Sequence, residues 1–216
     1  MLMEYMRGEI SSTVFAAFVL SILFALTVHE FAHAFVAYRA GDETPKANKR
    51  VSLNPIDHLD PMGTVLILLA GFGWGKPVPV NPANFRSPRW DSIRVAAAGP
   101  ASNLATALVC AAVHQWVLPR IMGWSGAEGL ALVVEILAVL SVSLALFNLI
   151  PVFPLDGHHI MGHLLPLGAA RRYERGLGGP MGMLALALIV MTPVGGLILG
   201  VPRLYVLHWL GFHIGQ

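Results

Sequence analysis

The stretch ISSTVFAAFVLSILFALTVHEFAHAFVAY, residues 10–38, decides the class of fold. A helix that crosses a bilayer needs about 20 mainly apolar residues, because each residue adds about 1.5 Å to its length. This run is longer than that, yet its final third contains three ionisable residues, His29, Glu30 and His33. The sequence therefore predicts a membrane-spanning helix that carries a polar triplet.

The composition of the whole chain also indicates a membrane protein. Of its 216 residues, 56% are hydrophobic and only 12% are charged, and the mean hydropathy is +0.66. A soluble globular domain is more polar, so we predict an integral, multi-pass protein in a lipid bilayer. The formal charge of +2 is small and the basic residues are scattered, so we expect no nucleic-acid partner. The lone Cys110 leaves no intrachain disulfide.

Three further stretches are long and apolar enough to cross a bilayer: residues 93–118, 129–150 and 181–200. Residues 64–86 begin in the same way but soon meet five glycines and prolines, which prevent a regular crossing. We predict that this segment is re-entrant, with an extended edge strand around Pro77 and Pro79. The tail, residues 201–216, is short and aromatic and is expected at an interface. One membrane domain, residues 1–216, accounts for the chain.

The distribution of basic residues predicts the orientation of the spans. Short loops that remain in the cytoplasm are rich in Lys and Arg. The first and third connections are basic, whereas the second contains only Arg120. The basic residues of the first connection are Arg39, Lys46, Lys49, Arg50, Lys76, Arg86, Arg89 and Arg94. The first span therefore runs from outside to inside, and its polar triplet lies toward the cytoplasmic side.

The triplet has the pattern H-E-x-x-H. Residues four apart share one face of a helix, so His29 and His33 can bind the same metal ion with Glu30 beside it. Such patterns also arise by chance in helices whose histidines only pack. Each ionisable group in lipid costs roughly 2.5–3.5 kcal/mol, however, and a divalent cation compensates for three of them. The sequence thus predicts a metal site of the catalytic zinc type, with a carboxylate that takes a proton from water.

A third ligand is required, and Asp156 is the strongest candidate. It follows the third span after Pro151 and Pro154, which break the helix at membrane depth and near the triplet. Other candidates are weaker. His159 and His163 precede a basic loop, and Glu135 can reach water near the outer end of its span. His58 and Asp60 lie in a proline-rich loop that we expect to be solvated, with Asp60 capping a turn.

Taken together, HEFAH (residues 29–33) and NLIPVFPLDG (residues 148–157) resemble the site-2 protease family of intramembrane zinc metalloproteases. GWGKPVPVNPANFR (residues 73–86) is similar to that family's membrane-re-entrant β-hairpin, and AAGPASNL (residues 97–104) to a small-residue motif of its next span. The resemblance implies an all-α polytopic membrane protein with about four main transmembrane helices plus a re-entrant β-hairpin. It also implies a prokaryotic cell membrane, as in the family's short members.

The resemblance assigns roles to residues. It implies that His29, His33 and Asp156 bind Zn²⁺, that Glu30 is the general base, and that Asn148 contacts the substrate or its oxyanion. Asn148 is also explained by a hydrogen bond between helices. Asn103 is a second candidate for substrate contact, although its small neighbours favour packing. Phe153 replaces a proline that many members have, and we expect neither their PDZ domain nor their nucleotide-sensing CBS domain.

The predicted activity is hydrolysis of peptide bonds within or near transmembrane segments of other membrane proteins, either for signalling or to clear membrane remnants. A membrane metal transporter is the alternative from another class, because it also places His, Glu and Asp in spans. A catalytically silent homologue that only binds membrane proteins is a third possibility, against which the intact Glu30 argues. The sequence does not indicate an oligomeric state.

Overall fold

The structure is a computed structural model that describes residues 1–70 and 73–212. Gly71, where the predicted break in the second apolar stretch begins, and the last four residues of the tail lie outside the described residues. In chain order the described α-helices are α1 (Leu2–Met6), α2 (Ser12–Arg39), α3 (Thr44–Ala47), α4 (Pro61–Ala70), α5 (Pro88–Ala112), α6 (Leu118–Ile121), α7 (Ala127–Asn148), α8 (Asp156–Leu164), α9 (Leu167–Leu177), α10 (Gly179–Met191), α11 (Pro193–Gly195) and α12 (Val201–Trp209).

Three long helical stretches form the centre of the protein. Helix α2, helix α7 and the continuous stretch Pro88–Ile121, in which a π-helical turn joins α5 to α6, are each long and apolar enough to cross a membrane. They correspond to the predicted spans at residues 10–38, 93–118 and 129–150. Large apolar side chains such as Phe24 and Leu108 are exposed on their outer surfaces, as expected for side chains that face lipid. The protein is an all-helical integral membrane protein over its described residues.

Close packing of these helices depends on small residues. Ala25, Ala34 and Ala37 on α2 are fully buried, as are Ala107 on α5 and Ala138 on α7. Small side chains let helix backbones approach closely where lipid provides no hydrophobic driving force between helices. Helix α8, which begins at Asp156, packs against α5. The helices therefore bring the C-terminal parts of the first and third predicted spans to the same region.

The fourth predicted span, residues 181–200, is not a single helix. Helix α10 ends at Met191, and Thr192 has extended backbone angles before Pro193. The residue before a proline is sterically pushed out of the helical region, which explains the break. Helices α9 and α10 are long and apolar enough to cross only when they are taken together, and they are bent by 64°. The tail forms α12, whose Leu207 is buried against α5 and α7.

Residues 73–86, here named the cover segment, contain no α-helix, and Pro82–Asn84 within them form a short 3-10 helix. The structure does not show the predicted β-hairpin: among the described residues, pairing is limited to an isolated antiparallel bridge between Leu59 and Gly75. The segment is instead tied to the loop after α2, since the Lys76 N–H donates to the carbonyl of His58 at 2.8 Å. Hydrogen bonds to this loop, and not pairing within a sheet, therefore hold the cover segment in place.

Asp42 is the main anchor of the cover segment at its far end. It is fully buried and accepts hydrogen bonds from the Asn81 N–H at 2.7 Å, from Asn84 Nδ2 at 2.8 Å and from the Thr44 hydroxyl at 2.6 Å. Burial raises the pKa of Asp42, but these hydrogen bonds outweigh burial and hold the pKa below its ordinary value. Asp42 therefore stays ionised and keeps the segment against the end of α2.

Candidate metal centre

Three predicted ligands meet at one point. His29 and His33 lie one turn apart on α2, and their Nε2 atoms are 3.1 Å from each other. Asp156, the first residue of α8, places Oδ2 3.3 Å from both nitrogens. Both imidazoles are buried, and Asp156 is largely shielded. In the described part of the chain, His29, His33 and Asp156 are the His, Cys, Asp or Glu side chains whose ligand atoms lie close enough together to hold one metal ion.

The geometry of the triad fits zinc. Zinc bonds to imidazole nitrogen and carboxylate oxygen are about 2.0–2.2 Å long, so a tetrahedral ion places its ligand atoms about 3.3 Å apart. The separations of 3.1, 3.3 and 3.3 Å match that spacing. Three protein ligands also leave one position open, as in catalytic zinc sites. The donor set and its dimensions thus suit a catalytic zinc ion.

Helix α5 supports both imidazoles from behind. His33 Nδ1 donates to the backbone carbonyl of Val95 at 2.7 Å. His29 Nδ1 lies 3.1 Å from the side-chain amide of Asn103, which is completely buried. These contacts turn the Nε2 atoms of both rings toward Asp156. Asn103, a candidate for substrate contact from the sequence, thus lies against His29, a contact that the sequence does not predict.

Two glycines make room for the triad. A Cβ on Gly99 of α5 would lie 2.6 Å from both Nε2 and Cε1 of His29, well inside van der Waals contact. A Cβ on Gly157, next to Asp156, would meet the backbone of Leu149 at 2.6 Å. Only glycine permits either approach. In the sequence, Gly99 is one of several small residues that favour packing, since spacing alone does not show which side of the helix it lies on.

Glu30 lies beside the triad, half-buried and beneath the cover segment. A Cβ on Gly75 would be 3.2 Å from Glu30 Oε1, so the segment passes directly over this carboxylate. Arg50 holds the segment there: it is buried and its Nη2 donates to the carbonyl of Lys76. In the sequence, Arg50 is one of the basic residues of the first connection, which predict the orientation of the spans. Its neighbours on the basic loop give no signal that it alone is buried.

Asn148 is the last residue of α7, where its Nδ2 donates to the carbonyl of Leu144 one turn earlier, at 3.0 Å. Contact with a substrate therefore stays a prediction.

Asp60 caps α4, as predicted, because its Oδ1 accepts the Gly63 N–H at 2.8 Å. The expectation that His58 lies in a solvated loop is wrong, since the side chain is buried and its Nε2 donates to the carbonyl of Ser52 at 2.7 Å.

The remaining candidate ligands lie elsewhere. His159 and His163 line a separate pocket with Glu174, and His163 Nδ1 donates to the carbonyl of His159 at 2.8 Å. Glu135 Oε1 lies 3.8 Å from His114 Nδ1, near the loop between α6 and α7. Neither group includes an atom of the triad.

Comparison with known proteins shows which family the chain belongs to. The model of the family described as Peptidase family M50 matches residues 117–191. The chain is 40% identical over 185 residues to "Putative zinc metalloprotease YwhC" of Bacillus subtilis (strain 168), covering 84% of this chain and 83% of the relative. The chain belongs to peptidase family M50. This family comprises the site-2 proteases, so the resemblance inferred from the two motifs is confirmed.

Other relatives of this M50 protein carry similar names. This M50 protein is 29% identical over 193 residues to "Putative zinc metalloprotease Rip2" of Mycolicibacterium smegmatis, and the match covers 83% of the chain and 68% of the relative. A Rip2 protein of Mycobacterium tuberculosis is 32% identical over 162 residues, covering 71% and 59%. No solved structure matches the chain significantly. The family and these relatives identify the protein as an intramembrane metalloprotease that uses zinc.

Proposed function

We propose that this M50 protein cleaves transmembrane segments of other membrane proteins, with His29, His33 and Asp156 as zinc ligands and Glu30 as the general base. The observation that carries this assignment is the convergence of three ligand atoms from α2 and α8 at zinc spacing, directly beside Glu30. When bound there, zinc supplies Lewis acidity, which polarises a carbonyl and makes water easier to deprotonate.

Glu30 moves the protons in this proposal. Its carboxylate accepts a proton from the water that attacks the scissile carbonyl, and it then donates that proton to the departing amine nitrogen. Water adds one hydroxyl and one hydrogen to the two products, so the hydrolysis balances. Burial of the two imidazoles limits bulk water around the reacting bond, which strengthens the electrostatic interactions of the site.

The substrate helix has to unwind before it can be cut, since its carbonyls are already hydrogen-bonded within the helix. The cover segment offers a place for the unwound chain. Among the described residues, the N–H groups of Val78 and Val80 donate no backbone hydrogen bond, while Pro77 and Pro79 have no N–H to donate. Strand addition along this edge would satisfy the backbone of the substrate next to Glu30. The re-entrant β-hairpin of this chain, with that edge open to the substrate, is part of this proposal.

The active site is proposed to face the cytoplasm in a prokaryotic cell membrane. The support is the basic character of the connection after α2, which begins at Arg39, ten residues after His29. A reporter placed before α2 is then expected outside the cell. Asn148, at the end of α7 and eight residues before Asp156, is proposed to contact the substrate as it enters.

Substitution Glu30→Gln tests the assigned chemistry. Glutamine keeps the size of the side chain but cannot accept a proton, so cleavage of a co-expressed, tagged single-span substrate should fall about 10²–10⁴-fold while zinc content stays unchanged. Fragments are measured by immunoblot, and zinc by elemental analysis of the purified protein. Glu43→Gln, at an exposed position in the loop after α2, serves as the control. Full cleavage by Glu30→Gln would refute the role of Glu30.

A further inference from the structure

Asn103 is a polar side chain with no outlet to solvent. It lies on α5 with none of its surface exposed, and its amide is 3.1 Å from His29 Nδ1. Its Oδ1 is buried without a hydrogen-bond partner among the described residues. A buried amide oxygen left in this state is costly, by about 1–3 kcal/mol, so this arrangement calls for an explanation.

The proton on His29 provides one. Because Nε2 of His29 points toward Asp156 and His33, a metal bound by the triad takes the lone pair of that nitrogen. A neutral imidazole then carries its hydrogen on Nδ1, which becomes a donor. A donor at Nδ1 needs an acceptor, and the Nδ2 group of an amide is not one. The carboxamide O and N are nearly identical in shape and exchange places by a half-turn of the group.

We propose that Asn103 is a positioning residue for the zinc site, with its Oδ1 accepting the hydrogen on His29 Nδ1 when the metal is bound. In this arrangement the orphaned oxygen gains a partner while the Nδ2 group gives up its contact with His29 Nδ1, and His29 is held with Nε2 toward the metal. The inference rests on the proposed assignment of His29 as a ligand. Hydrogen bonds behind a ligating histidine fix its tautomer and ring orientation and raise its basicity.

His33 provides an internal comparison. Its Nδ1 already donates to the backbone carbonyl of Val95 at 2.7 Å. Both imidazoles are therefore supported from α5, one by a main-chain oxygen and the other by a side-chain oxygen. The acceptor at His33 is a main-chain carbonyl, which substitution of a side chain does not remove. The proposed acceptor at His29 belongs to the side chain of residue 103, which substitution can remove. Full burial also separates Asn103 from any substrate, which distinguishes this role from substrate contact.

Zinc affinity of full-length protein in detergent tests the proposal. Asn103→Leu keeps a similar volume but offers no acceptor, and should weaken zinc binding about 10–100-fold in competition with a chromophoric chelator. Asn103→Asp offers a carboxylate oxygen at the same place and should bind zinc within about threefold of the wild type. With Co²⁺ in place of zinc, the visible absorption of Asn103→Asp should match the wild type.

Controls separate folding from metal binding. Thermal unfolding of each variant is measured without metal, and Asn103→Ala, which removes the acceptor without adding bulk, replaces Asn103→Leu if the latter does not fold. Wild-type affinity in Asn103→Leu or Asn103→Ala overturns the role of Asn103, as does equal weakening in Asn103→Asp. A wild-type protein that binds no stoichiometric zinc overturns the metal site itself, and the positioning role with it.

Discussion

At the scale of single residues, the shape of the site depends on Gly99. The backbone of α5 passes so close to the two imidazoles that a methyl group at this position has no room beside His29 Nε2. Polar side chains supply the chemistry of the site, and this glycine supplies the space in which they meet. The same helix contributes the carbonyl of Val95 and the amide of Asn103.

We expect Gly99→Ala to reduce zinc affinity at least tenfold, with a matching loss of proteolysis, because the new Cβ displaces His29 and His33 from zinc spacing. Overpacking should also lower the free energy of unfolding by about 1–3 kcal/mol. Zinc titration and thermal unfolding measure the two effects. Gly129→Ala is the control, since a Cβ at that position on α7 meets nothing within 4 Å. Normal zinc binding by Gly99→Ala would contradict the observed packing.

At the scale of elements, the cover segment places the proposed substrate-binding edge in the same stretch of chain that passes over Glu30, the proposed general base. Arg50, His58 and Asp42 fix it to the loop that follows α2, and Gly75 passes over Glu30. The open N–H groups of Val78 and Val80 are two residues apart, so they point to the same edge of an extended chain. In the proposed function, a substrate that pairs with that edge is brought toward Glu30.

Double substitution Val78→Pro and Val80→Pro removes both open donors. Loss of two hydrogen bonds of about 1 kcal/mol each should lower cleavage about 30-fold, with zinc content unchanged. Fragment yields from a co-expressed substrate give the measurement. Val78→Ala with Val80→Ala keeps the N–H groups and should cleave nearly normally. If the proline variant cleaves as well as the alanine variant, strand addition along this edge is wrong.

The broken region after α10 shows what sequence patterns miss at this scale. Hydropathy alone gives residues 181–200 the length of a crossing, but Pro193 directs Thr192 into an extended conformation and divides the stretch. By contrast, residues 10–38 and 129–150 contain no internal proline, and their helices follow the predicted limits within about two residues.

At the scale of the whole molecule, the proposed ligand set could be predicted from sequence because ionisable residues are costly in lipid. Ionisable residues in an apolar chain need compensation, which singled out His29, His33 and Asp156 although the last two lie 123 positions apart. The residues that pack around these three side chains could not be predicted from the sequence. Asn103 and Gly99 belong to a small-residue pattern that reads as simple packing, and their contact with the imidazoles depends on how α5 is rotated about its axis. The burial of His58 and Arg50 depends likewise on tertiary contacts of the loop.

The central claim is that one zinc ion is held jointly by α2 and α8. Elemental analysis of the purified, full-length protein and its Asp156→Ala variant tests it most directly, with Glu128→Ala, an exposed position on α7, as control. We predict about one zinc per chain in the wild type and control, and less than about one-tenth of that in Asp156→Ala after dialysis against a weak chelator, since two histidines alone bind zinc poorly. A full zinc complement in Asp156→Ala, or none in the wild type, would contradict the account.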